Sequence, residues 1–351
     1  MRGVRAFLEL SGARLPLIQA PMAGFAGPDL AIAAIGAGAV GSLACATLSP
    51  EAVVEAVATI RAGARGPLNL NVFCHRLGPL PDTAAWEAQL APCYAAEDLS
   101  RPTATPPLRR PFDDAMAEAI ETARPEFVSF HFGLPEAPLL ARMRATGAGL
   151  IGNATTVAEA RFLAEQGCDA IIAQGFEAGG HAGHFLGRHQ PVGLFALVPE
   201  IADAVDVPVI AAGGIADERG VRAAIALGAA AVQVGTAYLR TPESLAGAPH
   251  HAALAGAGAD DSVFTNLFSG GLARGLRNRL IAAIGPVSAA APPFPYASTA
   301  VAPLRAHAES EGRGDYSPLW AGQGVARARA EPAAALTRQL GEAALATMEP
   351  A

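Results

Sequence analysis

Short apolar runs alternate with alanine-rich helical stretches along most of this 351-residue chain. The runs lack the apolar–polar alternation of a half-buried strand, which is typical of parallel strands covered on both faces. The pattern predicts eight strands: Leu15–Pro21, Ala39–Leu43, Leu68–Phe73, Phe127–Phe132, Gly149–Asn153, Ala170–Gln174, Val207–Ala212 and Ala231–Gly235. Eight strand–helix units over roughly 250 residues predict an α/β fold, the TIM (β/α)8 barrel.

Helix start signals support the segments between these strands. Ser49 followed by Pro50 and Glu51 is typical of a helix start. Thr155 or Thr156 caps a further helix, with Glu159 at capping-box distance.

The alternation is interrupted once and then followed by a long extension. Residues 75–112 are rich in proline, contain Trp86 and Tyr94, and are too long for a plain crossover. Loops of this length are usually functional lids or disordered, so we predict a lid-like insertion after the third strand. Residues 241–351 predict a helical C-terminal extension, and because no linker divides the chain, we expect a single domain over residues 1–351.

Composition excludes several classes of protein. A hydrophobic content of 51% with 16% charged residues allows a large core, and a net charge of -7 argues against nucleic acid or an anionic membrane as partner. No lysine occurs in the sequence, which excludes Schiff-base aldolase chemistry and pyridoxal-phosphate attachment. Four cysteines without metal-ligand spacing indicate reduced thiols in a cytoplasmic protein, and we expect neither a signal peptide nor a membrane span.

The stretch Asp169–Gly183, DAIIAQGFEAGGHAG, contains the sixth strand and the loop that follows it. The strand becomes polar at Gln174, and Gly179 and Gly180 precede His181. Adjacent glycines let a flat ligand lie against bare backbone. Polar or sulfur-bearing side chains also mark the other strand ends: Gln19, Met22, Asn69, Asn71, His131 and Asn153. Since (β/α)8 barrels carry their chemistry at the carboxyl ends of the strands, we predict an active site there.

Glycines after the last two strands indicate a phosphate site. Gly213-Gly214 follows the seventh strand and Gly235-Thr236 follows the eighth, with a helix start near Asp217. The double glycine alone could be only a tight turn, but together with Gly235-Thr236 one strand later it favours a cradle of backbone amides for a phosphate-bearing cofactor.

The histidines near this site allow several interpretations. His181 and His184 stand three residues apart, but no third ligand is placed beside them, so we predict no metal site. His131 could be a core histidine or a direct catalytic group, and the sequence leaves both open.

The chain resembles the FMN-dependent nitronate monooxygenases, long called 2-nitropropane dioxygenases, over nearly its whole length. The resemblance lies in PLIQAPMAG (Pro16–Gly24), NLNVFCH (Asn69–His75), VSFHFGLP (Val128–Pro135), QGFEAGGHAG (Gln174–Gly183), VIAAGGI (Val209–Ile215), QVGTAYL (Gln233–Leu239) and LWAGQG (Leu319–Gly324). FMN-dependent enoyl-acyl carrier protein reductases share the barrel and a similar EAGGH loop, whereas FHFG favours the monooxygenases. The chain departs from relatives that read GRPARG, since it has GGLARG at Gly270–Gly275, and it has no C-terminal lysine.

The resemblance implies FMN as cofactor, an alkyl nitronate or nitroalkane and dioxygen as substrates, and a monomer or homodimer. The implied cofactor-binding residues are Ala20, Pro21, Met22, Ala23, Asn69, Gln174, Gly179, Gly180, Gly213, Gly214, Gln233, Gly235 and Thr236. His181 would be the general base that takes the proton beside the nitro group, with His131 the next candidate. The usual histidine pKa near 6.5 suits that task.

Two alternative functions remain at this point. One is an enoyl-acyl carrier protein reductase-like enzyme that takes electrons from a nicotinamide donor. The other is a flavin-binding barrel without catalysis, in which the GGH loop is only scaffold.

Overall fold

The computed structural model describes residues 3–100 and 108–348. Eight parallel strands form one sheet in the order β1-β9-β8-β6-β5-β4-β3-β2. The strands of this sheet are β1 (Leu17–Gln19), β2 (Gly41–Ala44), β3 (Leu68–Phe73), β4 (Phe127–His131), β5 (Gly149–Ala154), β6 (Ala170–Gln174), β8 (Val209–Ala212) and β9 (Ala231–Val234). Ile18 pairs with Val40 in parallel, and the Gln19 N–H donates to the Val40 carbonyl at 2.9 Å, so the sheet closes on itself. The predicted TIM (β/α)8 barrel is therefore confirmed.

Helices surround the barrel and continue into the C-terminal extension. Their bounds are α1 (Val4–Ser11), α2 (Pro28–Ala37), α3 (Pro50–Gly63), α4 (Ala84–Ala96), α5 (Asp114–Ala123), α6 (Ala137–Ala145), α7 (Val157–Glu165), α8 (Leu194–Ala204), α9 (Glu218–Ala226), α10 (Ala248–Gly256), α11 (Arg279–Ile284), α12 (Ala297–Ser310) and α13 (Ala333–Leu345). No helix in residues 3–100 and 108–348 is both long enough and apolar enough to cross a membrane.

The capping signals in the sequence act as predicted, with one difference. The Ser49 side chain accepts from the Ala52 N–H at the start of α3, and the Thr156 hydroxyl accepts from the Glu159 N–H at the start of α7. The Glu159 carboxylate does not complete a capping box. It is fully buried and accepts instead from the backbone N–H groups of Thr155 and Phe185, at 2.7 and 2.6 Å, and so ties the loop after His181 to α7.

Buried apolar side chains fill the space between strands and helices and part of the barrel interior. Ile18, Phe127, Ile151, Ile172 and Ile210 belong to one buried cluster. These clusters give the strands a rigid frame, because burial of such side chains is the main favourable contribution to folding. The carboxyl ends of the strands are held in fixed positions as a result.

A second core joins the insertion to the extension. Helix α4 lies in the insertion and packs against α12, with Trp86 fully buried and its Nε1–H donating to the Ala297 carbonyl at 3.3 Å. The Tyr94 hydroxyl donates to the Ala300 carbonyl at 2.8 Å. Trp86 and Tyr94 of the insertion thus pack against the extension rather than over the barrel mouth. Residues 101–107 lie outside the described residues, and the lid and the single-domain division remain predictions.

A small antiparallel sheet stands beside the barrel mouth. It consists of β10 (Ser262–Thr265), β11 (Ala273–Leu276) and β7 (Gly180–His181), in the order β10-β11-β7. Ala273 pairs with His181 and Arg274 with Gly180. The extension therefore fixes the backbone of the loop that the sequence marks as central.

Candidate active site

A cleft opens at the carboxyl ends of the barrel strands. It encloses about 1220 Å³, counting the space at its open mouth. Its walls include both predicted catalytic histidines, His131 and His181, and twelve of the predicted cofactor residues: Ala20, Pro21, Met22, Ala23, Gln174, Gly179, Gly180, Gly213, Gly214, Gln233, Gly235 and Thr236. The structure thus brings together residues from five strand ends and the small sheet.

Asn69 is the one predicted cofactor residue that does not line the cleft. It is fully buried, and its amide donates to the Ser42 hydroxyl at 3.1 Å. Asn71, two residues further along β3, lines the cleft and donates to the Ser129 hydroxyl at 2.9 Å. Side chains at i and i+2 of a strand share a face, so both asparagines point into the barrel, but Asn69 lies one layer deeper.

The glycine turns after β8 and β9 present free backbone donors to the cleft. Gly213 and Gly214 have φ values of 131° and 66°, a left-handed backbone that favours glycine. Within the described part of the chain, the N–H groups of Gly213, Gly214 and Gly235 donate to no protein acceptor. Asp217, in contrast, already accepts from the N–H groups of Arg219 and Gly220 at the start of α9. The glycine turns therefore hold free backbone donors for an anion, and a contribution from the helix start near Asp217 stays a prediction.

The C-terminal extension completes the wall on this side. The Gly322 N–H donates to the Thr236 hydroxyl at 2.9 Å. A Cβ built at Gly322 would lie 2.6 Å from the Glu177 carbonyl oxygen, and one at Gly324 would lie 2.6 Å from the Gly214 carbonyl oxygen. The LWAGQG motif therefore packs backbone to backbone against both glycine-containing loops, which explains its glycines.

His181 is oriented by contacts from three elements. Its Nε2 lies 2.8 Å from the Ser269 hydroxyl oxygen, with which it shares a hydrogen bond. Its carbonyl accepts from the Gln174 side-chain amide at 2.8 Å. Strand β11 pairs with its backbone. Ser269 is a site residue that the sequence did not indicate, because it lies 88 residues from His181 and its residue type carries no signal of its own.

Aromatic rings surround the His181 imidazole. The ring centroids of Phe294, Trp320 and Phe132 lie 5.2, 5.4 and 6.0 Å from it. Phe132 has a φ of 67°, which is uncommon for a bulky residue and is typical of functional sites. This enclosure lowers the pKa of His181 well below its usual value: burial is the largest cause, followed by the positive charge of Arg109 and then by the nearby imidazoles of His131 and His75. The imidazole is therefore neutral near pH 7.

His131 supports the same loop from β4. Burial lowers the pKa of His131 to about 4, and the nearby backbone of His181 acts in the opposite direction. A Cβ at Gly183 would meet the His131 ring, 2.7 Å from Cε1. The structure thus places His131 where it can position His181, and it also lines the cleft.

Further cleft residues belong to regions that the sequence described only in part. Asn153 lines the cleft, and its side-chain amide donates to Oε1 of the Gln174 side chain at 3.0 Å. Arg109, from the end of the insertion, and Trp320, from the extension, also line it. The sequence indicated Asn153 as a polar residue at a strand end and Trp320 as part of LWAGQG. Nothing in the sequence indicated Arg109.

The fold and this cleft define a (β/α)8-barrel enzyme with its site at the carboxyl face of the barrel. The chain belongs to the nitronate monooxygenase family, whose family model matches residues 5–342. The family match and the relatives below make it a flavin-dependent monooxygenase. The family match also decides between the monooxygenase, the reductase and the non-catalytic barrel, the three functions that the sequence left open, in favour of the monooxygenase.

Individual relatives agree with this assignment. The chain is 40% identical to a nitronate monooxygenase of Paraburkholderia phytofirmans over 96% of its own length and 94% of the relative's. It is 39% identical to a nitronate monooxygenase of Pseudomonas aeruginosa over 96% and 98% of the two chains. The crystal structure of a nitroalkane oxidase from Streptomyces ansochromogenes superposes with a TM-score of 0.87 at 35% identity, covering 98% of this chain and 99% of that one.

Proposed function

We propose that this protein is an FMN-dependent nitronate monooxygenase. It oxidises alkyl nitronates, such as propionate 3-nitronate, and more slowly neutral nitroalkanes, with dioxygen to a carbonyl compound plus nitrite or nitrate. The observation that carries the proposal is the family match over residues 5–342. The position of His181 in the wall of the cleft supports it.

The residues of the cleft fit a flavin mononucleotide. The phosphate would be bound by the free N–H groups of Gly213, Gly214 and Gly235, since such turns suit anions. The Oε1 atom of Gln233 is buried without a hydrogen-bond partner in the described part of the chain, and it would accept from an N–H group of the flavin ring. A Cβ built at Gly180 would meet no atom within 4 Å, which leaves room for a flat ring against the backbone.

When bound, FMN supplies the electron acceptor and the reaction with dioxygen. His181 would hold the reacting end of the substrate in the cleft. Its neutral imidazole is able to take a proton from a nitroalkane. A pKa well below the usual value makes this imidazole a weak base. A nitronate has already lost the proton in question. For this reason we propose nitronates as the better substrates.

The aromatic wall has a separate role. The rings of Phe132, Phe294 and Trp320 form apolar surface beside His181, with centroids 6.0, 5.2 and 5.4 Å from its imidazole. Interactions between charged groups are stronger where water is excluded, so the wall would strengthen the hold on an anionic substrate.

Two measurements on the purified protein test the proposal. Flavin released by denaturation is identified as FMN or FAD by chromatography, and oxygen consumption with nitrite release is followed on adding propionate 3-nitronate. We expect FMN, together with oxygen uptake that requires the nitronate. Bound FMN without nitronate-dependent oxygen uptake would contradict the activity, and FAD would contradict the cofactor.

A further inference from the structure

Arg109 lies in the cleft wall on the side of β3. Its guanidinium carbon is 5.5 Å from the centroid of the Phe73 ring and 6.0 Å from that of Phe294. Its carbonyl oxygen hydrogen-bonds to the His75 Nε2 at 3.2 Å, which fixes the backbone. Cation–π contact with these two rings holds the planar guanidinium in this position in the cleft wall.

This guanidinium has no anionic partner in the protein. Among residues 3–100 and 108–348, no carboxylate lies within ion-pair distance of Arg109, and none of its N–H groups finds an acceptor. Its neighbours differ in this respect, since Arg110 pairs with Asp113 at 3.1 Å and Arg305 with Glu309 at 2.7 Å. Arg274, which also lies over two aromatic rings, donates to the carbonyls of Phe176 and Ser262.

A half-buried cation without a partner is costly, because leaving water is compensated only by pairing or hydrogen bonding. The side chain offers five N–H donors in a planar fork that matches a carboxylate. An anionic ligand at this position would remove the cost. Such a ligand can reach Arg109 through the cleft, which is open to small molecules.

The position of Arg109 in the cleft indicates which ligand it would contact, the cofactor phosphate or the substrate. Strand β3, which carries Phe73, lies across the barrel from β8 and β9, whose glycine turns face the other side. Arg109 is therefore not part of the phosphate cradle. Phe73 and Phe294, the rings beneath Arg109, also contact His181, with centroids 6.2 and 5.2 Å from the imidazole. A small ligand next to His181 thus has its far end near Arg109.

We propose that Arg109 is the specificity-determining residue that binds a carboxylate at the end of the substrate remote from the nitronate carbon. The assignment rests on the proposed function for the identity of the reacting end. The guanidinium pairs with the carboxylate, and the aromatic pair Phe73 and Phe294 contacts the short carbon chain between the two charged groups. Nitronates with a carboxylate a few bonds away are then favoured over alkyl nitronates of the same length.

The test compares Arg109→Met with Arg110→Met on two nitronates of three carbons, propionate 3-nitronate and propyl-1-nitronate. Methionine keeps an apolar chain against the two rings but removes the charge, and Arg110 is an exposed neighbour of the same residue type. For Arg109→Met we expect kcat/KM on propionate 3-nitronate to fall roughly tenfold to a hundredfold, mainly through KM. The rate on propyl-1-nitronate should change by less than about threefold, and Arg110→Met should change neither.

Binding of propionate, which has no nitro group, separates this inference from the proposed function. In the wild-type holoenzyme propionate should perturb the flavin absorbance and saturate, and in Arg109→Met this response should be lost, with partial recovery in Arg109→Lys. Loss of propionate binding in a protein without nitronate activity would support the role of Arg109 while the proposed function fails. Equal losses on both nitronates, or unchanged propionate binding in Arg109→Met, would overturn the role of Arg109.

Discussion

The Nε2 atom of His181 lies 2.8 Å from the hydroxyl oxygen of Ser269, across a contact between β7 and the loop before β11. Ser269 is buried, and its hydroxyl is also 3.5 Å from the Gly271 carbonyl oxygen, so it has few other partners. The orientation of the imidazole in the cleft therefore depends on a residue from the C-terminal extension.

Replacing Ser269 by alanine tests this dependence. The loss of one hydrogen bond contributes about 0.5–1.5 kcal/mol, so kcat/KM on a nitronate should fall roughly threefold to tenfold. Ser269→Thr retains a hydroxyl group and is the matched control, which should keep most of the activity. Steady-state kinetics with equal flavin content in all three proteins measure the effect. An alanine variant with wild-type kcat/KM would show that Ser269 does not orient His181.

The pKa of His181 predicts the pH dependence. The sequence alone places the rise in activity near pH 6.5, the usual histidine pKa. Burial holds the pKa of His181 well below that value, so the neutral base persists to lower pH and the rise shifts below pH 6.5. We expect kcat/KM on a nitroalkane to be level from about pH 6.5 upward. A wild-type rise centred at or above pH 6.5 would contradict the structure.

His181→Asn separates proton abstraction from substrate positioning. A positioned general base contributes roughly a hundredfold or more, so activity on a neutral nitroalkane should fall by that factor. Activity on the corresponding nitronate should fall much less, because no proton is left to remove. The pH-dependent rise should also vanish in the variant. Equal losses on both substrates, with the rise retained, would assign the base to another group, with His131 the next candidate.

Much of the architecture was predictable because its signals are local. Apolar runs without alternation predicted the strands, and Ser49 and Thr156 occupy the predicted cap positions. The glycines next to His181 also predicted the position of the cleft, because they lie directly beside the residue that lines it. Each of these signals lies within a few residues of the feature that it describes.

The remaining site residues depend on contacts that are distant in the sequence. Ser269 and Trp320 reach His181 only because β11 and the extension pack beside the barrel. Asn69 and Asn71 share a face of β3, and no periodicity shows which of the two reaches the cleft. The free charge of Arg109 is likewise a property of three-dimensional packing, since arginine is common in loops and its neighbour Arg110 is ion-paired.

The phosphate cradle is tested at Gly235. A Cβ built there lies 3.5 Å from the Ala20 Cβ and 3.7 Å from the Met22 sulfur, which is ordinary contact. Gly235→Ala should therefore retain flavin and is the steric control. Gly235→Asp places a carboxylate against the phosphate and should abolish flavin retention. The measurement is the flavin-to-protein absorbance ratio after gel filtration. Full flavin content in Gly235→Asp would show that the cradle is misplaced.

Replacing Trp86 by alanine tests whether the insertion is packed against the extension or covers the substrate as a lid. Because its side chain is fully buried between α4 and α12, Trp86→Ala should lower the free energy of unfolding by about 3–5 kcal/mol. The KM of the folded variant should stay within about threefold of the wild type, since Trp86 does not line the cleft. Urea denaturation and steady-state kinetics provide the two values. A raised KM without a loss of stability would instead indicate that Trp86 covers the substrate.

Anaerobic mixing of the holoenzyme with separate electron donors tests the central claim most directly. Flavin absorbance is followed after addition of propionate 3-nitronate, and in parallel after addition of NADH or NADPH. A nitronate monooxygenase should lose flavin absorbance rapidly with the nitronate and recover it on admission of oxygen, while the nicotinamides act slowly or not at all. Rapid bleaching by a nicotinamide with no response to the nitronate would contradict the account.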